Sequence, residues 1–265
     1  MSDIVIIPGA LQRAALATGL FSAASLLLPL TLFSALLLHG SEAPPAIVDG
    51  QVLAAEARSV APAGDFEYRG VMKVRRSGNP TQELPVACGI KRASGAWRMS
   101  YQVGAGGEQE TLVIVQGAGR KSEYLLATNG QAQPLPVAAA QMDRPLAGTD
   151  FDISDLGREY LFWPGQQVLT NEMRKGRACR VLQSTPAVTN LYGRVLSWVD
   201  VDTAGIVIAE SYGTDNKLIK EFEVNSVKKV NEVWHPQRIE VRHPQRKSRT
   251  LREFDFKEVR AEDAR

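Results

Sequence analysis

The stretch "DFEYRGVMKVRR", residues 65–76, decides the fold class of this chain. Large apolar side chains occupy alternate positions in it: Phe66, Tyr68, Met72 and Val74. Charged side chains fill most of the positions between them. A period of two is typical of a β-strand that has one buried and one solvated face. The stretch therefore predicts a half-buried strand that belongs to a larger sheet.

Similar stretches recur along the rest of the chain. Four follow at short intervals, at residues 83–92, 97–103, 110–117 and 122–130. Six more lie between residues 177 and 259, and tight-turn sequences such as "DTAG" and "GTDN" link some of them. About a dozen strands with few helices predict a mainly β fold of the α+β kind. We expect one large, strongly curved antiparallel sheet, or an incomplete barrel.

A helix is predicted ahead of the first strand. Residues Ala46 to Val60, "AIVDGQVLAAEARSV", place apolar side chains at helical spacing, although Gly50 lowers the helix propensity near the start. The few helical segments of the chain are available to cover the concave apolar face of the sheet.

The acidic stretch "GTDFDISDLGREY", residues 148–160, has three aspartates within six positions. A calcium loop of the EF-hand type that began at Asp150 would need Gly at its sixth position and Glu at its twelfth, where this chain has Asp and Leu. We therefore expect no such metal loop. Asp152 or Ser154 as the N-cap of a short helix explains the stretch. A catalytic pair of carboxylates stays open as an alternative.

The N-terminal residues differ in kind from the rest of the chain. The run from Ala14 to Leu38 has no charged side chain and is longer than the ~20 apolar residues that cross a bilayer as a transmembrane helix. Arg13 precedes it, which predicts a cytoplasmic N-terminus and an exported main domain. Both an uncleaved signal anchor and a cleaved signal peptide fit the pattern. We expect residues 1–43 to form this segment, residues 44–259 the binding domain and residues 260–265 a tail.

The chain has two cysteines, Cys88 and Cys179. Each lies in a strand-like stretch that would face an oxidising compartment after export. A disulfide between them would close a long loop and contribute about 4 kcal/mol in the chain-entropy model. Two buried thiols that act as small apolar side chains are the alternative.

Composition and motifs narrow the functional classes. The chain has 265 residues, 44% of them hydrophobic, and a formal net charge of +2. A charge this close to neutral gives no electrostatic reason to expect a nucleic-acid partner. The sequence contains no Gly-x-Ser-x-Gly elbow, phosphate-binding loop or His-Glu-x-x-His motif. We therefore expect no enzyme, and a hydrolase is the least favoured alternative.

Three stretches carry a resemblance to a known family: "GTDFDISDL" at 148–156, "YGRVLSWVDVDTAGIVIAESYGTDNKLIKEFEV" at 192–224 and "HPQRIEVRHPQRKSRTLREFDF" at 235–256. They resemble the outer membrane lipoprotein-sorting protein family, which is related to the LolA and LolB lipoprotein carriers. The likeness covers residues 46–259 and is strongest after Gly148. Its specific parts, such as the Gly-Thr-Asp-Phe turn, are markers of a fold and not of a catalytic site.

The resemblance implies a half-open, curved sheet around a hydrophobic cavity that takes acyl chains. Binding would be noncatalytic and would need no cofactor and no metal. The implied partners are an acylated lipoprotein or phospholipid, the inner membrane and the envelope export machinery. The implied location is the periplasm, with the domain either tethered by residues 14–38 or free after cleavage. An envelope sensor or a structural ectodomain with the same fold is the alternative.

Large apolar side chains on the strand-like stretches are the candidates for lining this cavity. They are Phe66, Tyr68, Met72, Trp97, Tyr101, Leu112, Ile114, Leu196 and Trp198. Phe162 and Trp163 are candidates for a cover over the open face, or for an anchor that holds the short helix to the core. The repeated "HPQR", at 235–238 and 243–246, forms a basic region that either meets anionic head groups or is a solvated strand face.

Overall fold

The computed structural model describes residues 49–60, 64–93, 95–117, 120–128, 131, 133–188, 191–230 and 233–256. The apolar run at 14–38, the boundary expected after residue 43 and the tail at 260–265 lie outside these residues. Within the described ranges, no helix is long and apolar enough to cross a membrane.

Antiparallel pairing joins the strands of the described chain into one sheet. The strands are β1 (Phe66–Arg76), β2 (Gln82–Ala93), β3 (Ala96–Val103), β4 (Glu110–Gly117), β5 (Glu123–Ala127), β6 (Leu135–Pro136), β7 (Gly165–Arg174), β8 (Arg177–Thr185), β9 (Arg194–Asp200), β10 (Ile206–Tyr212), β11 (Leu218–Val230), β12 (Val233–His243) and β13 (Ser248–Asp255). Their order in the sheet is β6-β5-β4-β3-β2-β1-β13-β12-β11-β10-β9-β8-β7. The sheet is curved and does not close, so the predicted fold class is confirmed.

The pairing of β1 with β13 joins two meanders, β1–β6 and β7–β13, into this single sheet. The two strands run side by side from the pair Arg69–Asp255 to the pair Arg76–Ser248. Gly70 permits their close approach, because a Cβ atom there would lie 1.9 Å from the carbonyl oxygen of Glu253. The first and last strands of the described residues therefore lie at the centre of the sheet, and β6 and β7 are its edges.

One face of the sheet is covered by the rest of the domain, and we call it the inner face. Side chains alternate between the two faces of a strand. Tyr68 of β1 lies opposite Cys88 of β2, which lies opposite Tyr101 of β3. All three are buried in one apolar cluster. The strand register thus places these buried side chains in one continuous row across β1, β2 and β3.

Helix α1, Gly50–Ser59, packs on the inner face near β7 and β8. Its buried residues, among them Leu53, contact Leu182 and Val199 of the sheet. The side chain of Asp49 caps the helix by accepting a hydrogen bond of 2.7 Å from a backbone N–H of the first turn. The helix predicted within residues 46–60 is therefore confirmed from Gly50 onward.

Residues 137–163, between β6 and β7, also pack on the inner face, and we call them the cover segment. It contains helix α2, Ile153–Leu156, and the short 3-10 turns Ala139–Gln141, Leu146–Gly148 and Glu159–Phe162. Its fully buried side chains are Leu146, Phe151, Ile153 and Leu161. They belong to three clusters that the sheet contributes to as well, so the cover segment completes the core.

Candidate functional site

Apolar side chains line the inner face from β5 across to β13. Of the cavity candidates, Tyr68, Met72, Tyr101, Leu112 and Ile114 are buried in one cluster there, Phe66 packs against it, and Trp97 lies on the same face by strand alternation. The structure therefore brings seven of the nine candidates onto one surface.

The other two candidates, Leu196 and Trp198, lie on the opposite, outer face of the sheet. They belong to a separate cluster with Cys179 and neighbouring side chains of β8 and β10. The adjacent Val199 is the residue of β9 that contacts helix α1 on the inner face. Their assignment to the cavity is wrong, because β9 is apolar on both faces and alternation alone does not identify its inner side.

The end of the inner face at which β1 begins carries half-buried apolar side chains, and we call it the rim. Phe66, Ile90 and Met99 lie in one row, because Phe66 pairs with Ile90 and Ile90 pairs with Met99. Each is partly exposed, as is Trp97 two residues before Met99. A row of large, partly exposed apolar groups is typical of the mouth of a binding site.

An aromatic cluster continues from the rim into the core. The ring centroids of Phe66 and His235 are 4.8 Å apart, and those of Tyr68 and Phe256 are 5.0 Å apart. The Tyr68 hydroxyl lies 2.9 Å from Nδ1 of His235. Burial lowers the pKa of His235, so its ring is neutral at pH 7. The cluster therefore extends the apolar surface of the rim.

Polar contacts hold the cover segment at the other end of the inner face, where β1 ends and β13 begins. The carboxylate of Asp150 accepts hydrogen bonds from Ser248, at 2.5 Å, and from Thr250, at 2.8 Å. The backbone N–H of Asp150 donates to the Thr250 hydroxyl oxygen at 2.9 Å. Arg76 donates to the carbonyl oxygen of Gly148. Rim and anchor thus lie at opposite ends of the same strands.

A buried ion cluster adds to this anchor. Lys220 of β11 contacts Asp152 and lies 2.7 Å from Asp155, and the Tyr192 hydroxyl donates to Asp152 at 3.2 Å. The side chains of Lys220 and Asp152 are each 4% exposed. Burial and the neighbouring Asp155 raise the pKa of Asp152 to about 6. Burial works against the charge of Lys220, but both carboxylates raise its pKa, so the ammonium stays charged.

The acidic stretch at 148–160 is accounted for by these contacts. Asp152 is the N-cap of α2, and its side chain accepts a hydrogen bond from the backbone N–H of Asp155. In return Asp155 accepts from the backbone N–H of Asp152 at 3.0 Å. This is a capping box with aspartate in the place that glutamate usually takes. The predicted N-cap is confirmed as Asp152, and the aspartates fix the cover segment to the sheet.

The two candidate cover residues, Phe162 and Trp163, lie where the cover segment meets α1. The guanidinium of Arg58 in α1 lies 4.9 Å from the centroid of the Phe162 ring. The ring of Trp163 packs edge-on against Tyr160 at 6.4 Å. Both residues are half-buried. These contacts tie the cover segment to α1, and a covering role for the two side chains stays a prediction.

Cys88 and Cys179 are both free and buried. Cys88 is on the inner face of β2, and Cys179 is in the outer-face cluster of β8, with six strands between β2 and β8 in the sheet order. Of the two alternatives for the cysteines, the structure has the buried thiols and not the disulfide, because the thiols lie on opposite faces of the sheet and on distant strands. Burial raises the pKa of Cys88 to about 11 and also raises that of Cys179.

The arginines of the basic "HPQR" region and of the adjacent β13 form a solvated strand face with paired charges, whereas His235 and His243 are buried. Arg242 lies 3.2 Å from Glu221 and also contacts Glu240. Arg249 lies 3.9 Å from Glu240, and Arg238 lies 2.6 Å from Glu253. Interspersed carboxylates thus reduce the net positive charge of this face, as the solvated alternative predicts.

Two cavities in the described chain lie away from the rim. One, of about 170 Å³, is beside Gln109 and Thr111 at the start of β4. The other, of about 320 Å³, is bordered by Met173, Cys179 and Val201 near the turn of the β7–β8 hairpin. Between the sheet and the cover segment, the inner face is instead filled with packed side chains.

Sequence reasoning missed the charged residues of the inner face, Lys220 and Arg252. Lys220 shares its face with Phe222 of β11, and Arg252 shares its face with Phe254 of β13. The signal in each strand was a positively charged residue at a position where the alternation predicts an apolar one. Both side chains are almost completely buried, which the pattern alone does not reveal.

The fold and the site define a class: an open, curved antiparallel sheet whose apolar inner face is closed by a cover with polar anchors. A family model described as that of an uncharacterized protein matches residues 109–263, which is more than half of the chain. A search of curated proteins finds no match.

Solved structures share this fold at low sequence identity. A DUF1329 family protein from Desulfovibrio piger is 16% identical, with a TM-score of 0.65 over 78% of this chain and 90% of that chain. A domain described as outer membrane lipoprotein-sorting, from Vibrio parahaemolyticus, is 14% identical, with a TM-score of 0.66 over 78% and 90%. A LolA superfamily protein from Nitrosomonas europaea is 15% identical, with a TM-score of 0.56 over 78% and 92%. The chain therefore belongs to the family whose model matches residues 109–263, and it has the LolA-like fold that the resemblance implies.

Proposed function

We propose that the inner face binds the acyl chains of lipids or lipoproteins without catalysing a reaction. The observation that carries this proposal is the rim. Its half-buried side chains, Phe66, Ile90, Trp97 and Met99, lead directly to the buried apolar cluster of β1–β4. The cover segment is anchored at the far end of the same strands. An acyl chain can therefore reach the apolar surface from the rim.

The driving force for such binding is hydrophobic. An acyl chain leaves a membrane only where a protein surface replaces the hydrocarbon, and each methylene kept from water contributes about 0.8 kcal/mol. The row behind the rim, Tyr68, Cys88, Tyr101 and Leu112, continues the apolar surface into the core. A surface with few specific polar contacts also suits a carrier that must release its cargo.

Binding requires the cover segment to move, because packed side chains fill the inner face. The segment consists of short turns, and its anchors are side-chain hydrogen bonds and ion pairs. Ala147 and Arg158, which stand on either side of α2, have φ angles of 47° and 51°, values that are unusual for residues other than glycine. Local opening at such strained positions costs less than opening a sheet ladder.

A noncatalytic role accounts for the chemically reactive groups of the described chain. Asp150, Asp152 and Asp155 all bind partners that fix the cover segment. The two cysteines are buried and have raised pKa values, so thiolate chemistry is disfavoured.

A periplasmic location is part of the proposal. It rests on the predicted export signal at residues 14–38 and on the LolA-like fold. If the apolar run stays in place, the domain is tethered to the inner membrane, which favours extraction or handover of lipid at that membrane over free transport across the periplasm. The proposed partners are then an acylated lipoprotein or phospholipid and components of the envelope export machinery.

Native mass spectrometry with lipid extraction tests the proposal on the full chain, exported to the periplasm of a bacterial host. Met99→Arg places a charge at the rim, and Leu196→Arg places the same charge at a half-buried position on the outer face. We expect bound phospholipid or acylated peptide with the wild type and with Leu196→Arg, and a loss of most of it with Met99→Arg. Absence of lipid from the wild type, even after lipid is added, would overturn the proposal.

A further inference from the structure

The inner face holds one buried cation that lacks a carboxylate partner among the described residues. Arg252 of β13 is 6% exposed, and its Nε atom makes no hydrogen bond within that part of the chain. Lys220, the other buried cation of this face, has two carboxylates. Two carboxylates therefore compensate the charge of Lys220, whereas no carboxylate of the described residues compensates the charge of Arg252.

The guanidinium of Arg252 extends along the inner face toward the rim. Its Cζ atom lies 4.6 Å from the centroid of the Phe254 ring, two residues nearer to that end of β13. Tyr101 belongs to the same buried cluster as Phe254, and the charge of Arg252 opposes the rise in the pKa of Tyr101 that burial causes. The charge of Arg252 acts on the Cys88 thiol as well. The guanidinium thus lies among the aromatic and apolar groups that line the proposed acyl-chain site.

A charge buried without a counter-charge is costly, so a fold that keeps one is expected to use it. Guanidinium is the side chain best suited to carboxylate and phosphate, because its planar fork donates two parallel hydrogen bonds. In Arg252, Nε is free to donate. The hydroxyl of Tyr101, in the same buried cluster as Phe254, is available as a second donor.

We propose that Arg252 and Tyr101 form an anion subsite within the acyl-chain site. It takes the carboxylate or phosphate of an anionic amphiphile, whose hydrocarbon chain then extends past Phe254 and Tyr68 toward the rim at Phe66. This inference rests on the proposed function and deepens it. It names anionic lipids, and not neutral acyl chains, as the preferred ligand class.

A fluorescent long-chain fatty acid and its methyl ester test the subsite on the full chain, because they share the hydrocarbon chain and differ in the charge of the head group. We expect the wild type to bind the acid about tenfold or more tightly than the ester, as a hydrogen-bonded charge predicts. Arg252→Gln should abolish this difference while ester binding stays, and Arg252→Lys should keep part of it. Arg249→Gln is the matched control, since Arg249 is on the outer face of β13 and its side chain is 45% exposed.

Two competitors identify the source of the anion. Phosphatidic acid that displaces the fatty acid would extend the class to lipid phosphates, and failure to displace would restrict it to carboxylates. Displacement by inorganic phosphate alone would overturn the amphiphile assignment in favour of a free anion. Thermal unfolding of each variant without ligand reports whether it is folded. If Arg252→Gln fails to fold, the comparison of acid with ester on the wild type and on Arg252→Lys still decides.

The outcomes separate the subsite from the function on which it rests. Equal affinity of the wild type for acid and ester would overturn the anion subsite and leave the acyl-chain site standing. Failure of the wild type to bind either probe would overturn both. A loss of acid preference in Arg249→Gln as large as that in Arg252→Gln would assign the preference to general surface charge and contradict the subsite.

Discussion

At the scale of single residues, the two buried cations of the inner face, Lys220 and Arg252, differ in their partners among the described residues. Asp150, Asp152 and Lys220 have partners that tie the cover segment to β11 and β13. Arg252 has no carboxylate partner in the described chain. Residues that break a local rule without a structural gain are expected at functional sites, which is why Arg252 is the focus of the ligand proposal.

Replacement of Lys220 tests the ion cluster. Lys220→Met removes the cation and leaves Asp152 and Asp155 close together at a buried site, so we expect a loss of about 3–5 kcal/mol in the free energy of unfolding at pH 7. Urea unfolding measures it. Lys217→Met is the control, because Lys217 is an exposed residue just before β11 whose ion pair with Asp215 is also exposed. An equal loss in both variants would contradict the account.

The loss in Lys220→Met should depend on pH with a defined sign. In the wild type the pKa of Asp152, about 6, lies above its ordinary value of 3.8. The folded protein therefore binds more protons than the unfolded chain between these values, and this group makes the free energy of unfolding fall as the pH rises through them. Without Lys220, protonation of Asp152 relieves a stronger repulsion between Asp152 and Asp155. The difference in the free energy of unfolding between variant and wild type should therefore narrow from pH 7 to pH 5. A difference in the free energy of unfolding that stays constant over this pH range would contradict the described ion cluster.

Residue positions in the site were predictable where only one face of a strand is apolar. In β1 the charged residues between Phe66 and Met72 point to solvent, so the inner side chains were identified correctly. In β9, Leu196 and Trp198 alternate with Val195 and Val199, and each set packs in an apolar cluster or the buried core. Apolar periodicity carries no information on which face is inner when both faces are covered.

At the scale of elements, the strands and their order along the chain were predictable from alternation and turn residues. The pairing of β1 with β13 was not, because these strands lie at opposite ends of the described chain and no local signal links them. The structure of the cover segment was predictable from the sequence only in part. The capping residue of α2 was predicted, but the 3-10 turns around it have no periodicity to detect.

An engineered disulfide that reversibly links the cover segment to β13 tests whether the segment moves. Asp150 of the cover segment is in direct contact with Thr250 of β13. In the double variant Asp150→Cys, Thr250→Cys, we expect the oxidised protein to take up a fluorescent fatty acid much more slowly than the same protein after reduction. Stopped-flow fluorescence measures the rate. The native thiols are buried on other strands, so they do not compete. Equal rates in the two redox states would show that binding does not require opening at this anchor.

At the scale of the whole molecule, the chain is an unclosed sheet whose inner face joins an apolar rim to a polar-anchored cover. The fold class and the family were predictable from the sequence, because strand patterns and turn residues extend over most of the chain. The ligand was not, since it depends on a few buried groups such as Arg252 whose surroundings exist only in the folded protein.

The most direct test of the account is photocrosslinking of the full chain with a diazirine-labelled fatty acid, followed by peptide mass spectrometry. We predict adducts on inner-face residues of β1 to β3, above all Phe66, Tyr68 and Met99. Leu196 on the outer face of the sheet should be unlabelled, although it is half-buried like Phe66 and Met99. Adducts concentrated on the outer side, with an unlabelled inner face, would contradict the central claim that the curved sheet binds acyl chains on its inner surface.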